Sequence, residues 1–304
     1  MRRALALGLA IGLAIGLAAA PLAGAEIRVV DDAGTEVALA RPARRIVSLA
    51  PHATELLFAA GAGAHVVGAV KGSNHPAEAR ALPLVGDAHA LDVERIVALK
   101  PDLVVTWPYT TPGQVGKLAA RGIVVFTTDP RTIDGIAVDI ERLGALAGTG
   151  PAAAAAARRF RDDLATAVAR PPGRARVRVF YQIWGEPTYT IGGRHLISQA
   201  ISACGGENVF AALALPAPQV SAEAVIAARP EAIIAGADGA VRPAWLDAWT
   251  RWTDVPAVRD GQVHVVDADR LHRPGPRFAE GVAELCAAID RARPPAQARA
   301  AGPR

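Results

Sequence analysis

Residues 91–105 read LDVERIVALKPDLVV, and residues 220–234 read VSAEAVIAARPEAII. At a constant offset of 129 residues Asp92 matches Ser221, Glu94 matches Glu223 and Ile96 matches Val225. Lys100-Pro101-Asp102 likewise matches Arg229-Pro230-Glu231, and Val104-Val105 matches Ile233-Ile234. Each copy reads as a short helix with Asp92 or Ser221 at its N-cap, an apolar face, and a basic residue plus proline that stop it. The β-branched run that follows has the character of a strand buried on both faces. An early strand at Arg45–Leu49 and a later one at Val177–Tyr181 extend the parallel. Two similar α/β units in tandem are the expectation.

Working outward, RIVSLAP, VVGAV, DLVVTW and IVVFTTD alternate in the first unit with the helical stretches TELLFAAGAG, VERIVAL, GQVGKLAARG and TIDGIAVDIERLGALAG. The second unit repeats the rhythm with RVRVFYQIW, HLISQAISACGG, EAVIAAR, EAIIAG and QVHVVDA, and a last helix runs from about Pro276 to Arg293. Between the units, Pro151–Arg170 begins with proline and continues through an alanine-rich body. That composition predicts a rod of about 30 Å, because a helix rises about 1.5 Å per residue. The boundaries are therefore 26–150 for an N-terminal lobe, 151–170 for a backbone helix, 171–293 for a C-terminal lobe and 294–304 for a disordered Pro/Ala tail. Residues 1–25 have a basic start, an uncharged Ala/Leu/Gly/Ile run and a close on Ala23-Gly24-Ala25, the pattern of a cleaved signal peptide. Export to the periplasm follows.

A net charge of +4 is small for 304 residues, and the basic residues are scattered. Lysine occurs only at Lys71, Lys100 and Lys117, with no run of like charges, so nucleic acid is not an expected partner. Two cysteines in an exported chain suggest one disulfide, with buried free thiols as the alternative; zinc finds no CxxC or HxxxH companion. Closing so long a loop is worth roughly 4–5 kcal/mol in the chain-entropy account. GxSxG, P-loop, HExxH and GxGxxG motifs are all absent. Ser48, His52 and Asp269 make a triad only on paper, since no segment among them has a nucleophile turn. An enzyme is not expected.

RIVSLAPHATELLFAAGAG, VERIVALKPDLVVTW, ACGGENVF, PQVSAEAV and DADRLHRPGPR together resemble the periplasmic cobalamin-binding proteins. These belong to the helix-backboned (class III) substrate-binding proteins, which also serve importers of haem and ferric siderophores. The resemblance runs from about Arg44 to Ala288. It implies two Rossmann-like lobes joined by a single long backbone helix, a monomer without a resident cofactor, and a ligand clamped between the lobes. The implied ligand is cobalamin, with haem or a ferric siderophore as the alternative, and the implied partner is the membrane permease of an ABC importer. Glu94 and Glu223 match the acids that dock on the two permease subunits. Their equivalent positions suit a partner with two-fold symmetry, although an acid in a first helical turn also favours the helix dipole with no partner. Cys204 and Cys286 match the family's bridged pair.

At the ligand site the resemblance assigns Trp107 to stacking and Asp269 and Arg273 to polar contact with the ligand's amide periphery. Gly72, Ala88 and Ala217 stand where cobalamin binders have a tyrosine and two tryptophans. Tyr109, Trp184 and Tyr189 are candidates to replace the lost aromatic surface. His75 precedes Pro76 where haem-binding relatives place an iron-ligating tyrosine, which makes it a candidate axial metal ligand, and His272 is a second. His52 follows Pro51 in the first strand-to-helix turn, a position that can face the cleft. Trp245, Trp249 and Trp252 have helical spacing and read as packing residues.

Overall fold

A computed structural model describes residues 26–293 apart from Ala88 and Pro172. Residues 1–25 and 294–304, assigned above to a signal peptide and a tail, lie outside the described residues, as does Ala88. An antiparallel hairpin, β1 (Ile27–Val30) and β2 (Glu36–Leu39), opens the chain. The first lobe follows as β3 (Ile46–Ser48), α1 (Pro51–Ala59), β4 (Val66–Ala69), α2 (Val93–Ala98), β5 (Leu103–Thr106), α3 (Pro112–Ala119), β6 (Val125–Thr127) and α4 (Ile133–Ala147). The connecting helix α5 (Gly150–Val168) then leads into the second lobe. That lobe comprises β7 (Val177–Gln182), α6 (Leu196–Ala203), β8 (Gly206–Asn208), α7 (Ala222–Ala228), β9 (Ala232–Ala237), α8 (Pro256–Arg259), β10 (Val263–Asp267), α9 (Ala268–Leu271) and α10 (Phe278–Arg291).

The two sheets are parallel and share one topology. Strand order is β4-β3-β5-β6 in the first and β8-β7-β9-β10 in the second, so each first strand lies between its second and third. Helices cover both faces, which is why β5 is buried at every residue and β9 at all but its last. The echo in the sequence extends to backbone geometry. Lys100 and Arg229 are the only non-glycine residues of positive φ among those described, at 48° and 44°. Each ends its helix in the left-handed region just before a proline. The surrounding hydrogen bonds repeat as well. Asp102 accepts from the Arg45 N–H at 3.0 Å, and the Arg45 guanidinium donates to the Leu99 carbonyl at 2.8 Å. Glu231 accepts from the Arg178 N–H at 2.9 Å, while Arg178 donates to the Ala228 carbonyl at 2.7 Å.

Helix α5 has 19 residues and spans about 28 Å at the standard rise. Its buried stripe is Ala153, Ala156, Ala157 and Phe160, and it lies against α4 of the first lobe and α10 of the second. Small side chains set that closeness: a methyl group on Gly144 would fall 2.1 Å from the Ala153 Cβ. The inner apolar layers of both lobes consequently run together through α5, while each lobe keeps a separate outer core, around Val104 in the first and Ile233 in the second. Cys204, at the end of α6, is bonded to Cys286 in α10, with Cα atoms 4.9 Å apart. Trp249 sits in a 3-10 helix over Ala244–Arg251, packs edge-on against Phe180 and donates its indole N–H to Gln182 at 2.8 Å. It is a core residue, as the spacing suggested.

Candidate functional site

Parallel α/β sheets present ligand-binding loops at the carboxyl ends of their strands. Here those ends face one another across a cleft. Trp107 follows β5, Asp129 lies two residues beyond β6, Trp184 lies two residues beyond β7, and His272 follows α9 after β10. The cleft holds a cavity of about 600 Å³ flanked by one of about 360 Å³, and His195 and His272 line both. A separate hollow of about 520 Å³ lies between Arg178 and Arg259, at the amino ends of the second lobe's strands and away from the cleft.

The first-lobe wall is aromatic with an acidic floor. Trp107 and Tyr109 meet edge to face at 4.7 Å, and Tyr109 is 62% exposed. His52 lies buried beneath them, its ring 5.4 Å from Trp107, and its pKa is pushed down to about 3 by burial and by the positive charge of Arg273. Thus His52 supports the wall from behind. Asp129, paired with Arg131, has its pKa raised by burial, while Arg131 and the Trp107 indole N–H pull it the other way. Its backbone N–H is held by Asp32 at 2.6 Å, and Thr128 donates its hydroxyl to buried Asp139 at 2.7 Å. Arg142 serves both Asp32 and Asp139, at 2.8 and 3.1 Å. Burial and the neighbouring Asp32 charge push the Asp139 pKa up to about 8.

The second-lobe wall carries Trp184, Tyr189, His195, Ala217 and His272. Trp184 is 64% exposed and pairs through its backbone with Tyr189. His195 caps α6, its Nδ1 accepting from the Ile197 N–H at 3.1 Å. His272 places Nε2 3.0 Å from the Tyr181 hydroxyl. Burial is the main cause that lowers both histidines to about 4.

At one end the lobes are tied by charge. Glu55, in α1 with a side chain only 1% exposed, accepts from Arg277 at 2.6 and 2.9 Å and from Arg273 at 3.2 Å. Arg273 also donates to Asn74 at 2.7 Å and pairs with Asp269 at 2.7 Å, and Asn74 donates to Asp269 at 3.3 Å. Glu55 and Asn74 belong to the first lobe, the other three to the second.

The structure therefore brings Trp107, Tyr109, Trp184 and Tyr189 around one cleft. Asp269 and Arg273 are engaged in the clamp, although His272 and Pro274, on either side of Arg273, line the cavity. His75 is exposed and is not among the cavity-lining residues. Ala217 lines the larger cavity with only a methyl group. Gly72 has φ +89°, a backbone conformation that a tyrosine would strain. Glu94 and Glu223 are exposed in the first turns of α2 and α7, behind the caps Asp92 and Ser221. Among the described residues no group of His, Cys, Asp and Glu is arranged to hold a metal ion. Sequence reading missed Glu55, Asn74, Asp129, His195 and Arg277. Only Asp129, the last residue of the strand stretch IVVFTTD, had a positional signal.

Residues 46–270 match the periplasmic binding protein family. The chain belongs to that family. Among its members, a vitamin B12-binding protein of Vibrio parahaemolyticus is 37% identical over 249 residues, covering 81% of this chain and 89% of the relative. The crystal structure of the periplasmic vitamin B12 binding protein BtuF of Vibrio cholerae superposes with a TM-score of 0.72 at 35% identity, covering 83% of this chain and 98% of that one. The periplasmic heme-binding protein RhuT from Roseiflexus sp. RS-1 has the same TM-score at 26% identity, with 82% and 98% coverage. Family membership places the chain among two-lobed α/β binding proteins. No helix among the described residues is long and apolar enough to cross a membrane.

Proposed function

We propose that the protein captures a corrinoid of the cobalamin type in the interlobe cleft and delivers it to an ABC importer. The observation that carries this reading is the cleft itself: Trp107 and Tyr109 line its cavity of about 600 Å³, Trp184 and Tyr189 line the adjoining one of about 360 Å³, and the chain is 37% identical to a vitamin B12-binding protein. Trp107 and Tyr109 from one lobe and Trp184 and Tyr189 from the other supply faces for a flat macrocycle. Asp269 and Arg273 reach the ligand's polar periphery by exchanging part of their mutual pairing. The protein works as a binder without turnover, in the periplasm, after removal of residues 1–25. The lobes comprise 26–150 and 171–293, with 151–170 as the backbone helix.

Haem is the second reading, supported by the 26% identity to a heme-binding protein. It would use His75 as axial ligand only if that exposed side chain swung into the cleft. One experiment separates the two. The protein, mixed in turn with cyanocobalamin and hemin, should give a tight isotherm with the first and a weak one with the second; the reverse order would replace cobalamin by haem. Trp107→Ala should weaken corrinoid binding by about 1–3 kcal/mol, and unchanged affinity would remove Trp107 from the site.

Glu94 and Glu223 dock the loaded protein on the permease. Their exposure at equivalent points of two lobes with one topology supports this. Reversing both to lysine should abolish transport and leave ligand affinity intact; surviving transport would sink the assignment.

A further inference from the structure

Two imidazoles face the cleft from the second lobe, and the hydrogen bonds behind them dictate which nitrogen of each carries its proton. His195 Nδ1 accepts from the Ile197 N–H at 3.1 Å, so the lone pair is spent on that edge. In the neutral ring the proton then sits on Nε2, on the opposite edge. For His272 the partner is the Tyr181 hydroxyl, 3.0 Å from Nε2. Tyr181 is fully buried, and its hydroxyl has no other hydrogen-bond partner among the described residues. Its O–H must therefore donate to Nε2, since a buried donor left unpaired is costly. The neutral His272 ring consequently carries its proton on Nδ1. The seat for this ring is built with little tolerance: a Cβ on Gly236 of β9 would lie 2.2 Å from His272 Nε2 and 2.8 Å from the Tyr181 hydroxyl. Both histidines have pKa values of about 4, so each is neutral at the pH of the periplasm.

Neither ring offers the cleft a free lone pair. We infer that His195 and His272 are neutral hydrogen-bond donors to uncharged acceptor oxygens on the ligand's periphery, not ligands to its metal, and that they select amide-bearing over carboxylate-bearing macrocycles. The inference rests on the corrinoid reading above and deepens it. A buried carboxylate needs a positive charge to offset its desolvation, whereas a buried amide carbonyl needs only a donor. Two cations line the same cavity, and both are exposed: Arg194 at the rim beside His195, and Arg131, which is paired with Asp129.

The test titrates the protein with cyanocobalamin and with its side-chain monocarboxylic acids. The wild type should favour the amide form by about tenfold, the worth of one well-placed neutral hydrogen bond. His195→Ser keeps an oxygen to cap α6 but removes the distal N–H; it should cut cyanocobalamin affinity about tenfold and bring the two affinities together. Bound aquocobalamin should keep a spectrum free of imidazole ligation. Should His195→Ser not fold, the nitrogen spectrum of the wild-type histidines decides, with His195 protonated at Nε2 and His272 at Nδ1. Equal wild-type affinities, opposite tautomers, or an imidazole-type band lost in His272→Phe would overturn this inference alone. Failure of the wild type to bind cyanocobalamin at all would instead overturn the corrinoid reading on which it stands.

Discussion

In the first lobe the strand ends beside the cleft rest on carboxylates: Asp32 holds the Asp129 N–H and Asp139 accepts from Thr128. In the second lobe the corresponding support is imidazole and phenol, from His195, His272 and Tyr181. The sheets that carry these groups have the same strand order. Burial leaves Asp139 and the two histidines neutral, but it does so in opposite directions. It keeps a proton on Asp139, whose pKa rises to about 8, and keeps one off His195 and His272, whose values fall to about 4. One scaffold thus carries two chemistries because strand order leaves the loops after the strands free to differ. The lobes also differ in their fastening: the second is stapled by Cys204–Cys286, and among the described residues the first has no such bond.

The largest expected effect comes from removing the first-lobe acid that two arginines of the second lobe share. Glu55→Ala leaves Arg273 and Arg277 with their buried counter-charge gone. Urea unfolding should show a loss of about 3–5 kcal/mol. A loss under about 1 kcal/mol would mean that the lobes are held by α5 packing alone. Next, replacing Cys204 and Cys286 together with alanine should cost about 2–4 kcal/mol. If the staple matters to one lobe only, hydrogen exchange should quicken in α6 and α10 and stay unchanged in α1 and β3.

The smallest effects separate the walls by pH. His195 and His272 bind fewer protons folded than unfolded between pH about 6.5 and about 4. Their contribution is therefore complete above that window and is lost as pH falls through it. Asp139 binds more protons folded than unfolded from about 3.8 to about 8, so its contribution is present in acid and is lost as pH rises. Asp139→Asn imitates the protonated acid. Measured against wild type, its stability should rise on going from pH 5 to pH 8, the window in which the wild-type carboxyl loses its proton. A difference that is flat with pH would show Asp139 to be ionised throughout.

Much of this architecture was readable in the chain. The echo between residues 91–105 and 220–234 located equivalent helix–strand pairs because caps, stop signals and buried strands are local demands on residue type. It even marked Lys100 and Arg229, whose left-handed backbone no composition argument would have singled out. The predicted rod at 151–170 appeared as α5 over Gly150–Val168, since alanine propensity and an initial proline act within one helix. Hairpin β1–β2 escaped notice, being four residues a strand, half exposed and without a turn signal of the Asn-Gly kind. Yet it supplies Asp31 and Asp32, which pin the end of β6. Trp107 was assigned by the resemblance, and Tyr109, Trp184 and Tyr189, each near a strand end, were candidates to replace the aromatic surface lost at Gly72, Ala88 and Ala217.

Local preference determined the strands, the caps, the connecting rod and the duplicated plan, because each depends on neighbours within a turn or two of chain. Pairing across the gap was decided by tertiary structure alone. Glu55 finds Arg277 more than two hundred residues away, and the Tyr181 hydroxyl meets His272 across 91 residues of chain. The physical reason is desolvation: which polar groups must find partners depends on what folding buries together, and burial is a property of the packed chain, not of any segment in it.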